Sequence, residues 1–155
     1  MRDKPIYNRR KNVQTWIKEN GLIRVEAYFE DPVHFIILTL LVNEETREIK
    51  DCDINFLRDP YPDLCHKTAQ LYKKIIGLKI QPGFNKKVRE RIPVIDGCLH
   101  VKTLLREAGD AIAQSGFYTS TGLIDGSERR TYLRKEKELK NICYAYSDLN
   151  NPQDS

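Results

Sequence analysis

The sequence predicts an α+β fold, a small antiparallel meander sheet followed by helices packed on one face. Two observations predict it. Short apolar segments of strand character come first and are joined by hairpin-length links, and helix-period stripes come only afterwards. That order is not the alternation of a doubly wound sheet, and neither common Gly-rich phosphate loop occurs.

Residues 1–10 are polar and basic and read as a flexible basic arm. Val13, Thr15 and Ile17 then alternate with polar neighbours, as do Ile23, Val25, Ala27 and Phe29 within Leu22–Glu30. His34–Val42 is nearly continuous and rich in β-branched residues, which suits the central strand. Glu48–Phe56 alternates again, with Ile49, Ile54 and Phe56 around Asp51-Cys52-Asp53. The link Asn43-Glu44-Glu45-Thr46 is short and polar, as a hairpin requires.

Asp59-Pro60-Tyr61-Pro62 breaks the extended chain and opens a helix. Leu64, Thr68, Leu71, Tyr72, Ile75 and Ile76 would share one face of it, and Gly77 would cap it in a left-handed conformation. Phe84–Arg91 reads as a short helix stopped by Pro93. Val101, Leu104, Leu105, Ala108 and Ile112 give the core-facing stripe of a long helix, with Gly116 as its stop. Tyr118–Gly126 reads as a loop, and Ser127–Cys143 as a charged third helix free to pack outside or against another subunit. The expected organisation is thus an arm over 1–10, a single domain over 11–146 and a disordered tail over 147–155.

A chain of 155 residues with 40% hydrophobic and 31% charged residues can bury a core without disulfides. No apolar run approaches the roughly 20 residues of a membrane span, and the amino terminus carries no apolar signal region. The expectation is a cytoplasmic protein that does not enter a membrane. The net charge is +4, with basic clusters at Arg9-Arg10-Lys11, Lys86-Lys87, Arg129-Arg130 and Arg134-Lys135. All but the first have acids nearby, and no basic–aromatic alternation occurs, which speaks against nucleic acid. A protein partner, or a homodimer through the C-terminal helix, is expected instead.

Four cysteines, Cys52, Cys65, Cys98 and Cys143, stand far apart, and two histidines lie beside them in Cys65-His66 and Cys98-Leu99-His100. In a reducing compartment this pattern is not a disulfide framework. It leaves buried thiols, metal ligands or a reactive thiol. Cys65 and Cys98 both fall at predicted helix starts, where backbone N–H groups lower a thiol pKa. Gly97 would supply the freedom to turn Cys98 inward. Sulfur and imidazole two residues apart on an irregular turn can reach one ion. A strand cysteine such as Cys52 is more often core. No Gly-x-Ser-x-Gly elbow supports a serine triad.

Asp63-Leu64-Cys65, Ile75-Ile76-Gly77, Pro82-Gly83-Phe84 and Gly97-Cys98-Leu99-His100 together resemble an uncharacterised bacterial family with a Gly-Cys-Thr-His-Leu signature, over roughly residues 10–115. Leu99 and Val101 depart from that signature. The order of elements is also similar to the iron–sulfur cluster scaffolds of the NifU amino-terminal, IscU-like and SufE-like fold, whose cysteine sites would correspond to Cys65 and Cys98. Where the scaffold carries its first cysteine, this chain has Glu30-Asp31-Pro32-Val33-His34. The resemblance implies zinc or iron held by Cys65, Cys98 and His100, with a further ligand from Asp31, His34, His66 or water. The alternative of the same fold is a metal-free sulfur acceptor or partner-binding module. Neither reading decides whether a reaction is catalysed.

Overall fold

The computed structural model describes residues 5–120, the last five by backbone alone, together with Tyr144 and Ser147. The chain divides into two compact units, Met1–Gly116 and Phe117–Ser155, and the fold described is that of the first. The charged helix expected over 127–143, Cys143 and the tail after Ser147 lie outside the described residues.

Four strands form one antiparallel sheet in sequence order, β1 (Arg10–Ile17), β2 (Leu22–Glu30), β3 (Phe35–Asn43) and β4 (Ile49–Arg58). Among the described residues three helices follow, α1 (Pro62–Leu71), α2 (Phe84–Arg91) and α3 (Leu99–Ser120). This is the predicted meander-then-helices α+β arrangement. β1 begins at Arg10, at the end of the segment read as an arm.

One face of the sheet is the core. Val25 and Ala27 of β2 and Ile36, Leu38, Leu40 and Val42 of β3 are fully buried at alternate positions, as the two-residue period of a strand requires. β4 keeps that face by two register shifts. Leu41 pairs with Asp51 and Val42 with Ile49, so Lys50 is an extra residue. That insertion puts both Ile49 and Cys52 on the buried face, three positions apart. The hairpin between β3 and β4 is closed by Asn43, whose Oδ1 accepts the N–H groups of Glu45 and Thr46.

The long helix presents the expected stripe. Val101, Leu104, Leu105, Ala108 and Ile112 are all buried in the same cluster as the sheet face. α3 runs through Gly116 to Ser120, which corrects both the expected stop and the start of the expected loop. A single helical Gly costs only about 1 kcal/mol relative to Ala, too little to end a helix. The first helix also differs from expectation. α1 ends at Leu71 and the chain tightens into a 3-10 turn over Tyr72–Ile75. Tyr72 and Ile75 are fully buried, whereas Leu64 at 63% exposure faces solvent. Tightening changes the angle per residue after Leu71, so the six positions do not share one face, and α1 itself buries none of its side chains fully. Gly77 follows with φ +85°, the left-handed conformation expected of it.

Candidate functional site

The antiparallel register brings the start of β1, the end of β2, the start of β3 and the end of β4 to one edge, where Arg10 pairs with Glu30, Glu30 with Phe35 and Phe35 with Arg58. The turn between β2 and β3 stands there, and α1 begins four residues after β4 ends.

Asp31 organises that turn. Its Oδ1 accepts the backbone N–H groups of Val33 at 2.9 Å and His34 at 2.7 Å, and also lies 3.0 Å from His34 Nδ1. Its Oδ2 accepts the Tyr7 hydroxyl at 3.0 Å, while Arg58 donates to its backbone carbonyl at 2.7 Å. The residue is 7% exposed. Burial alone would raise its pKa. The N–H groups of His34 and Val33, then the side chains of His34 and Tyr7, outweigh it and hold the carboxyl well below the usual carboxylate range. Because a carboxylate can only accept, His34 carries its proton on Nδ1 when neutral, which leaves the Nε2 lone pair pointing away from Asp31.

His100, in the first turn of α3, packs against the same turn. Its ring stacks on Phe29 at 4.5 Å between centroids and meets the His34 ring at 4.4 Å. Burial, then the neighbouring His34, push the His100 pKa down, with Arg9 acting in the same direction and Asp31 opposing. Arg9 lies over the Phe29 ring at 4.9 Å and donates through Nε to Tyr7 at 2.8 Å. Through Tyr7 and Arg9, the segment read as a flexible basic arm packs on Asp31 and Phe29 beside the two imidazoles.

A second aspartate–histidine pair stands after β4. The Asp59 carboxylate, 3% exposed, accepts the Tyr61 N–H at 3.1 Å and lies 3.0 Å from His66 Nε2. His66 stacks on Phe56 at 5.7 Å. Cys65 lies beside Asp59. Burial first, then that carboxylate and Cys98, push the Cys65 thiol up. The helix amino terminus was expected to lower it; at Cys65 desolvation and a like charge win. Cys98 is half-buried against the core, and its carbonyl accepts the Tyr72 hydroxyl at 2.8 Å. Gly97 has φ −132°, an extended conformation open to any residue. Its role is space, since a Cβ there would stand 2.7 Å from Tyr72 Oη and 2.9 Å from Ile92 Cγ2.

The structure thus divides the sequence-predicted residues into two groups. Asp31, His34 and His100 form one chain of contacts, and Cys65, beside Asp59, is an electrostatic neighbour of Cys98. Among the described residues, no three His, Cys, Asp or Glu side chains stand as a group that could hold a metal ion. Cys52 belongs to the core, where burial pushes its thiol up to about 12. Tyr7, Phe29 and Asp59 were not legible as site residues. Only the turn-forming Asp59-Pro60 pair marks one of them, and the other two declare themselves through tertiary contact alone.

The family model described as protein of unknown function, DUF2889, matches residues 7–114, which takes in both groups. No curated protein and no solved structure matches the chain.

Proposed function

The chain belongs to the DUF2889 family, whose description assigns no activity, so its own side chains must supply the reading, and we propose that the Asp31–His34–His100 group is a histidine acid–base centre. The observation that carries this is the contact of two imidazoles at 4.4 Å, one of them fixed in tautomer by a buried carboxylate. His34 Nε2 is the proton acceptor. The imidazolium formed there is stabilised by Asp31, which stays ionised throughout. A charged His34 disfavours protonation of His100, so the two rings resist being charged together and place an acid and a base side by side. A cavity of about 280 Å³ borders the same turn, lined by Arg10, Arg58, Glu30 and Asp31 among others, on the Asp31 side of the centre and without either imidazole in its walls.

The test is the nitrogen spectrum of the imidazoles across pH. His34 should show the Nδ1–H tautomer, and His34→Gln should raise the titration midpoint of His100. An Nε2–H tautomer at His34, together with an unmoved His100 midpoint, would end the reading.

A second reading keeps zinc or iron. It is favoured by the Asp31–His34 bond, because a metal-bound imidazole commonly donates its other N–H to a carboxylate. His34, His100, Cys98 and Cys65 would be the donors, with Asp31 orienting His34. They would have to rearrange on ion entry, since the described side chains form no three-membered ligand group. Stoichiometric zinc binding that shifts both imidazole spectra and protects Cys65 and Cys98 from alkylation would favour this reading over the first.

A further inference from the structure

We propose that the groove between α2 and the start of α3 is a docking surface for an acidic, leucine-bearing segment of a partner protein. The groove is a cavity of about 240 Å³ on the helical layer, and its walls combine three cations, Arg89, Lys102 and Arg106, with the aliphatic side chains of Val88, Val94 and Leu99. No carboxylate lines it. Leu99, Lys102 and Arg106 follow one another at three- and four-residue intervals, so they form a second stripe on α3, distinct from the core stripe. The core stripe explains why α3 packs; it does not explain this one.

Two of the three apolar side chains are open to solvent, while Val88 belongs to the core. Val94 is 60% exposed and Leu99 66%, and Ile95 beside them reaches 93%. Lys102 feels the nearby Asp96 carboxylate, whereas the two arginines are weakly compensated. Arg89 forms no ion pair among the described residues. Arg106 meets only Glu107, at 3.7 Å, and that carboxylate is already held by Lys11 at 2.9 Å. Lys102 donates to the Pro93 carbonyl at 2.7 Å, which fixes one wall. A positive, half-apolar groove without acids complements a negative, half-apolar ligand.

Size and wall chemistry select the class of partner. Small-molecule sites usually enclose roughly 300–1,000 Å³, so this cavity takes anchor side chains of a longer segment in preference to a whole cofactor. No aromatic ring lines it, so nothing there stacks a nucleic-acid base. The proposal does not depend on the histidine centre, and either can fail without the other.

The full chain should be titrated with a fluorescent amphipathic peptide carrying glutamates on one face and leucines on the other. Saturable binding is expected, falling about tenfold or more in an Arg89→Glu/Arg106→Glu double variant and on raising salt. Leu99→Ser should weaken it without changing the salt dependence. Equal binding of the same peptide with glutamine for glutamate would overturn the proposal. So would no binding, or tighter binding of phosphatidylglycerol vesicles or of oligouridine. The glutamine peptide uses the unaltered chain, so the result stands even if the double variant melts early.

Discussion

Asp31 shows how a single side chain can set both a turn and a proton position. Its two backbone bonds close the link between β2 and β3, and its third bond chooses the tautomer of His34. Asp31→Ala would leave two N–H groups and an imidazole unpartnered at a nearly buried site. At about 1–3 kcal/mol for each buried donor left unmet, the expected loss is about 3 kcal/mol or more. Urea unfolding measures it, and a change under 0.5 kcal/mol would mean that water replaces the carboxylate. The thiols make a complementary case. With Cys52 and Cys65 both raised by burial, alkylation at neutral pH should be slow at Cys65 and slower still at Cys52. Fast modification of Cys65 would show a thiolate there and favour the sulfur-acceptor reading.

At the scale of elements, the strands and α3 were legible because each repeats a simple period against one flat core. Val101, Leu104, Leu105, Ala108 and Ile112 needed only the helical repeat to be placed, and all five are buried. Leu105→Ala should therefore cost about 2–5 kcal/mol as a large-to-small core change, read as a lowered denaturation midpoint. The site was less legible because periodicity fixes a face and not a neighbour. Cys98 and His100 are two residues apart at the head of α3, and side chains at that spacing do not face each other. Cys98 turns toward Cys65 and the core, whereas His100 stacks on Phe29, a partner from β2 that no local spacing reveals. Gly97 is a similar case. Its backbone asks nothing special, yet Tyr72 and Ile92 leave no room for a Cβ. Gly97→Ala should lower stability by about 1–3 kcal/mol, as other overpacked sites do, and disturb the bond from Tyr72 to the Cys98 carbonyl. An unchanged melting temperature would show that the loop moves aside freely.

For the molecule as a whole, the sheet edge that gathers the two aspartate–histidine pairs also ties stability to pH, and the sign follows from His100 and Asp31. His100 has a folded pKa below its unfolded value near 6.5, so between the two values the unfolded chain binds more protons. Its contribution is complete above about pH 6.5 and is lost as pH falls through the folded value. Asp31 is also depressed, so its contribution is complete above the unfolded value near 3.9 and is lost only in stronger acid. Acid should therefore destabilise the protein in two stages. The first, beginning below about pH 6.5, should disappear in His100→Gln, and the second, beginning below about pH 4, should shrink in Asp31→Asn. The measurement is the melting temperature of each protein across the acid range. A His100→Gln protein that loses stability as steeply as the parent between pH 6.5 and 5 would place the responsible proton elsewhere and remove His100 from the coupled pair.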